Sequence, residues 1–433
     1  MKLWLNSIAQ IVGGTLIGDD AIVTSVSIDS RTIKKGALYV PIMGAAFDGH
    51  QFIGSAHDNG AVCSLSQMNV PQTHILVDST LVAFQSLARY YREQFDIPVV
   101  GITGSVGKTT TKDMVFAVLS TQYNTLRTQG NLNNQTGVPQ VLLSLNCQHE
   151  AAIVEMGTNH FGEIDTLSSM VEPTICLFTN IGDAHIEYFG SREGILRGKT
   201  EMLKHKRAGG MVIVNGDDPL LCTIDSDRKF GFSEGCDVRA TNVIDRGIDG
   251  STFTATIGNE SVVINVKVAG RHMITNALAA IAVGDALNIS LDKMKAGIES
   301  FVPSAGRAQV IRTPHHTIVN DAYNANPTSM RAAIDALKGA KGRRVAILGD
   351  MGELGKDELR YHREIAQYAL DSGIDLLILV GKLFCSLNIP SALCYLDKDT
   401  LKNDLSKLLC QGDTVLVKAS HSQGLDKLVE HIN

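Results

Sequence analysis

The segment Gly101-Ile102-Thr103-Gly104-Ser105-Val106-Gly107-Lys108-Thr109-Thr110-Thr111 holds the clearest chemistry in the chain. Glycines let successive backbone N–H groups turn toward one anion. The lysine that follows adds a mobile positive charge, and a threonine hydroxyl is a ligand for Mg²⁺. The reading is a nucleotide-phosphate cradle built from Gly104, Ser105, Val106, Gly107, Lys108, Thr109 and Thr110. The spacing is G-x-x-G-x-x-G-K-T, with Ile102 where the strict P-loop pattern has its first glycine. Kinases, GTPases and ligases share this physics, so the loop alone names no reaction.

Three further residues are candidates for the same chemistry. Glu155 ends the apolar run Ala151-Ala152-Ile153-Val154. His185 follows a second such run, Cys176-Leu177-Phe178-Thr179. Ligands of open α/β sheets bind beyond the carboxyl ends of strands, so a carboxylate there is placed to hold a cation near phosphates. Lys199, in Arg197-Gly198-Lys199-Thr200-Glu201, reads on local sequence as a surface lysine.

The elements that must position these groups alternate. Residues 97–103 form a β-branched run that predicts a buried parallel strand, and helical patterning follows over 108–119. More strands are expected at 151–155, 174–179 and 210–214, giving a doubly wound parallel sheet. Before it, residues 1–95 read as mixed α/β, with short strands at 37–41 and 74–77 and a helix over 81–94. Between 237 and 269, alternating Thr, Val, Ile and Gly predict a small antiparallel insert at 251–257 and 261–268. Helices follow at 272–287 and 291–301, then a hinge at Pro303-Ser304-Ala305-Gly306. Strands at 343–348, 375–380 and 413–417, separated by helices at 357–371, 400–409 and 424–431, make a second, smaller α/β unit.

With 433 residues the chain has material for about three domains. Lys and Arg total 39 against 45 Asp and Glu, a net charge of −6, which argues against nucleic acid as a bulk partner. The eight cysteines form no C-x-x-C pair and read as small buried hydrophobes in a reducing compartment. No apolar run approaches the length of a membrane span. A cytoplasmic protein without membrane insertion is expected.

Several motifs occur in order: the loop above, Thr179-Asn180-Ile181-Gly182-Asp183-Ala184-His185, Gly270-Arg271-His272 with Asn276-Ala277-Leu278, and Gly306-Arg307. Together with Asp48-Gly49-His50, Gly130-Asn131-Leu132-Asn133-Asn134, Asn320-Asp321-Ala322-Tyr323-Asn324-Ala325-Asn326-Pro327 and Leu348-Gly349-Asp350-Met351-Gly352-Glu353-Leu354-Gly355, they resemble the Mur ligase family over nearly the whole chain. These are ATP-dependent amide-forming enzymes of peptidoglycan synthesis.

The resemblance implies an α/β protein of three domains. These are a mixed α/β UDP-sugar-binding domain (1–95), a central P-loop ATP-binding domain (96–305) and a Rossmann-like C-terminal domain (306–433). Asp321-Ala322-Tyr323-Asn324-Ala325-Asn326-Pro327 resembles the member that joins D-alanyl-D-alanine to UDP-N-acetylmuramoyl-tripeptide. The sister ligase adding the third amino acid carries an Asp-Asn-Pro-Arg motif, absent here. Folylpolyglutamate synthetases share the ligation logic but not the N-terminal motifs. A GTPase switch would need an Asn-Lys-x-Asp guanine reader, also absent.

The resemblance further implies ATP and two Mg²⁺ ions, with a monomer as the working form. Lys108 and the loop would hold the phosphates, Thr109 and Glu155 one Mg²⁺, and His185 a second. Lys199 matches the lysine that takes up CO₂ as a carbamate, an anionic oxygen donor for the metal; Lys108, Lys199 and His185 are thus the catalytic set. Asn276, Arg307 and Asp321 resemble contacts to adenine and ribose. Ser30, Arg31, Asp48, Gly49 and His50 resemble the UDP-sugar segment, and Arg31 is also a candidate for a surface salt bridge. Asn133, Asn134 and Thr136 are expected to face the peptide. Asn324, Asn326 and Asp350 are candidates for the dipeptide, although turn-forming roles suit them equally.

Overall fold

The computed structural model describes residues 1–44 and 47–432. Its centre is a nine-stranded sheet. The strand Val99–Thr103 is fully buried and lies parallel between Ala151–Glu155 and Ile175–Phe178. Its β-branched residues suit a strand covered on both faces. After Ala151–Glu155 the chain crosses to the other side of the first strand, so loops leaving these strands diverge and open a crevice at their carboxyl ends.

Two helices carry the site on one face. Lys108–Leu119 begins directly at the glycine loop and packs on Arg271–Ala286. The second helix is buried through most of its length, and Ala277, Ala279, Ala280 and Ala282 allow that close packing. A side chain at Gly284 would press on Met294, its Cβ 2.6 Å from the sulfur.

The insert expected at 237–269 is part of this sheet. Arg228–Gly231 and Val238–Asp245 extend the parallel strands, and Ser251–Ile257 and Glu260–Val266 then add antiparallel partners. Arg228 and Lys229 disguise the linking strand, which has no apolar run.

The residues after the hinge form a six-stranded sheet rather than three strands, in the order Gln309–Arg312, Thr317–Asn320, Thr414–Lys418, Arg344–Gly349, Leu376–Val380, Ala392–Tyr395. The three expected strands are its buried centre. The others are four residues long, too short for a clear period. The helix expected over 400–409 is two short pieces, Lys398–Lys402 and Leu405–Leu408.

Before residue 95 a five-stranded sheet packs on the helix Thr80–Glu93. Arg92, fully buried, donates from Nε to the Val171 carbonyl at 3.0 Å and from Nη1 to that of Phe95 at 2.7 Å. It thereby ties this helix to the last turn of Glu163–Val171 in the central unit. Among the described residues no helix is long and apolar enough to cross a membrane.

Candidate active site

The glycine loop is held open from behind. Gly104 has φ +155°, and a Cβ there would lie 1.9 Å from Thr179 Oγ1. Only glycine fits this contact. Thr179 and Asn180, on the neighbouring strand end, pin the loop. Thr179 Oγ1 and Asn180 Nδ2 donate to the Val106 carbonyl at 2.7 and 2.9 Å, and Val106 N–H donates to Asn180 Oδ1 at 2.9 Å. Gly107, at φ +82°, turns the chain into the helix whose positive end faces the same space. Lys108 Nζ bonds the Gly104 carbonyl at 2.9 Å, and burial pushes its pKa down.

Glu155 is buried at the strand end. Its Oε1 accepts from Thr109 Oγ1 at 3.1 Å and from Asn133 Nδ2 at 2.8 Å. Its Oε2 has no hydrogen-bond partner; the Lys112 ammonium stands 3.8 Å away. A buried carboxylate oxygen without a donor is costly, and a hard cation would relieve it. The donor set of Thr109 and Glu155 therefore fits Mg²⁺. Among the described residues no group of three or more His, Cys, Asp or Glu side chains is arranged to hold a metal ion, and Mg²⁺ commonly completes its shell with water and phosphate oxygens.

Lys199 stands outside the lining of the cleft, and its reading as a surface lysine is corrected by its 1% exposure. It lies on the buried face of Arg192–Thr200. Burial, reinforced by the charge of Lys108, pulls its pKa well below the usual lysine range. A neutral amine is the form that reacts with CO₂. His185 lines the cleft and has φ +61°. Its Nδ1 is 2.6 Å from Glu353 Oε2, on the loop after strand Arg344–Gly349.

One cleft of about 770 Å³ gathers residues from all three units. Ser105 to Thr110 of the loop, Asn133, Asn134, Thr136, Glu155, His185, Asn276, Arg307, Asp321, Asn324 and Asn326 all line it, while Gly104 lies behind. Asn276 Oδ1 accepts from Thr111 Oγ1 at 3.1 Å. Arg307 stacks on the Tyr323 ring at 3.9 Å. Asp321 is gripped rather than free. Its Oδ2 is 2.5 Å from Lys418 Nζ and its Oδ1 accepts from Ala308 N–H at 3.0 Å.

Other candidates are committed to local structure. Asn134 Oδ1 accepts from Gly137 N–H at 2.8 Å and from Thr136 Oγ1 at 3.1 Å. Asn326 caps the helix Pro327–Lys338 in a reciprocal box with Ser329. Asp350 is buried outside the cleft lining; its oxygens accept from Leu383 and Phe384 N–H at 3.0 and 2.9 Å, at the start of a short helix.

Ser30, Arg31, Asp48, Gly49 and His50 also lie outside the described lining. Arg31 makes two bonds to Asp29, at 2.9 and 2.8 Å, as the salt-bridge alternative had it. Asp48 Oδ1 accepts from His50 N–H at 2.9 Å and faces its Nδ1 at 2.6 Å. The Ser30 carbonyl accepts from Asn59 Nδ2 at 2.9 Å. Gly49 passes so close to Ile42 that a Cβ would meet its backbone at 2.7 Å.

Lys112, Asn180, Glu353 and Lys418 were not singled out by sequence reasoning. Asn180 and Glu353 stood inside motifs. Lys418, at the end of an apolar strand, followed the same rule as Glu155.

Family models match three stretches of the chain. They are described as "Mur ligase family, catalytic domain" (residues 22–92), "Mur ligase middle domain" (102–284) and "Mur ligase, glutamate ligase domain" (306–421). The UDP-N-acetylmuramoyl-tripeptide--D-alanyl-D-alanine ligase of Bacillus subtilis (strain 168) is 36% identical, over 100% of this chain and 98% of its own. A crystal structure of MurF from Acinetobacter baumannii superposes with TM-score 0.94 at 31% identity, covering 100% and 99% of the two chains. MurF ligase from Thermotoga maritima, solved in complex with ADP, gives TM-score 0.87 at 27% identity, covering 95% and 97%.

Proposed function

The chain belongs to the Mur ligase family, and we propose that it joins D-alanyl-D-alanine to the terminal carboxylate of UDP-N-acetylmuramoyl-tripeptide, splitting ATP to ADP and phosphate. The observation that carries this reading is the single cleft in which a phosphate loop and an under-coordinated buried carboxylate meet residues of all three units. We assign those units to 1–95, 96–305 and 306–433.

A carboxylate resists attack by an amine because hydroxide would have to leave. Transfer of the γ-phosphoryl group onto a carboxylate oxygen gives an acyl phosphate. The dipeptide amine then attacks the carbonyl carbon, phosphate leaves with that oxygen, and the amine gives up a proton. Catalysis is positioning and charge control between two anions.

In this chain Lys108 and the N-terminal helix turn face the phosphates, while Thr179 and Asn180 hold the loop that delivers them. Thr109 and Glu155 would hold one Mg²⁺ and His185 a second, with a carbamylated Lys199 as an anionic oxygen donor for the metal; bound there, the ions would neutralise charge between phosphate and carboxylate. Asn133 fixes the Glu155 carboxylate. Asn276, Arg307 and Asp321, all in the cleft lining, would contact the nucleoside, and the last two are carried by the C-terminal unit. Nucleotide thus favours the closed arrangement, which keeps water from an acyl phosphate. The eight free cysteines suit a cytoplasmic site of action, and the working form is a monomer.

The test is phosphate release from ATP and Mg²⁺ with UDP-N-acetylmuramoyl-tripeptide, with and without the dipeptide. Release is expected to depend on D-alanyl-D-alanine and to match pentapeptide formed. Equal turnover with the dipeptide precursor and a free diamino acid would transfer the chain to the sister activity.

A further inference from the structure

Two residues from different units meet beside the cleft that His185 lines, each in an uncommon backbone state. His185 follows the strand Ile175–Phe178 with φ +61°, and Glu353 follows Arg344–Gly349 with φ +60°. Left-handed backbone is unfavourable for non-glycine residues and persists where surrounding structure enforces it. The enforced conformations bring Glu353 Oε2 to 2.6 Å from His185 Nδ1. Around this point the loop of Glu353 presses on the turn after His185: a Cβ at Gly355 would lie 3.3 Å from the Glu187 side chain. The contact is short but off the axis of the ring N–H.

With Nδ1 against the carboxylate, Nε2 is the nitrogen left for the cleft that His185 lines. A carboxylate on one imidazole nitrogen is the standard means of fixing the tautomer and direction of a ring whose other nitrogen does work. The carboxylate here arrives from the closing unit.

We propose that Glu353 is a positioning residue: its carboxylate, carried by the C-terminal unit, aims the His185 ring so that Nε2 faces the phosphate cleft. This rests on the role for His185 given above but adds a dependence on Glu353. The loop Asp350–Gly355 thereby acquires a task beyond shaping its own turn.

The test compares E353A and E353Q with the parent, since glutamine keeps an oxygen acceptor and loses the charge. Long-range ¹H–¹⁵N spectra of histidine-labelled full-length protein, saturated with ADP and assigned through H185N, report which ring nitrogen carries the proton. The parent is expected to hold the Nδ1–H tautomer, E353A to lose it and E353Q to retain it. Turnover in E353A should fall about 10–100-fold at unchanged KM for ATP, with E353Q recovering most of it. An unchanged tautomer in E353A overturns the proposal, whatever the rate does. So does turnover within twofold of the parent. Failure of dipeptide-dependent ligation in the parent would instead remove the functional reading, while the tautomer comparison would still report on the contact.

Discussion

Glu155 and Lys199 are opposite charges with the same difficulty. Each is almost wholly buried; the Lys112 ammonium stands 3.8 Å from the Glu155 carboxylate, while the charge acting on Lys199 is that of Lys108. Such burial is expensive and points to function where a cleft is adjacent. For Lys199 burial, reinforced by the charge of Lys108, favours the neutral amine, the form that reacts with CO₂. Lys199→Ala is therefore expected to lower turnover at least about 100-fold, in line with removal of a group that stabilises transition-state charge. Millimolar formate or acetate should restore part of it by occupying the space left. Phosphate release in K199A equal to that of the parent would contradict this role.

The positions of Glu155 and His185 were legible because strand ends in such sheets face the ligand. The burial of Lys199 was not, because its neighbours Arg197 and Thr200 look solvent-facing. The local structural role that suited Asp350 equally well at the sequence level is the one its geometry shows. Its carboxylate serves two backbone N–H groups that belong to a helix some thirty residues away.

At the scale of elements, helices and loops are locked by fully used polar groups. His362, on the helix Glu358–Asp371, is completely buried. Its Nδ1 faces the Glu358 carbonyl at 2.7 Å, and its Nε2 accepts from Met351 N–H at 2.9 Å. This fixes the neutral ring, and Asp350 lies 3.8 Å from Nε2. Burial lowers its pKa, outweighing the Glu358 carbonyl and the Asp350 charge. As pH falls through about 6.5 the unfolded chain takes up the proton first, so stability is full above that value and is lost below it. Between pH 7 and 5, urea unfolding of the parent should lose up to about 1.4 kcal/mol per pH unit from this group, and H362Q should show a correspondingly shallower slope. Equal slopes would show that His362 does not carry the acid sensitivity.

Long periodic elements were readable from sequence: the helix Lys108–Leu119 and the strands Ala151–Glu155 and Ser251–Ile257 fall where patterning put them. Edge strands such as Thr125–Arg127 and Ala392–Tyr395 escaped, because three or four half-exposed residues carry no period.

At the scale of the molecule, the three units matter through what they bring to one cleft. The central sheet supplies the loop, Glu155 and His185. The C-terminal unit supplies Arg307 and Asp321, and Glu353 reaches it through His185. The N-terminal unit contributes Ile42, Met43 and Leu81 to the wall. Net negative charge is no obstacle to anionic substrates, since Lys108, Arg307 and Lys418 concentrate positive charge where it is needed. The central claim is that a carboxylate oxygen is phosphorylated before the amide forms. It is tested most directly with UDP-N-acetylmuramoyl-tripeptide carrying ¹⁸O in its terminal carboxylate, turned over with ATP and D-alanyl-D-alanine. Mass analysis is expected to find one ¹⁸O atom in each phosphate released. Phosphate free of ¹⁸O, formed alongside pentapeptide, would contradict the account.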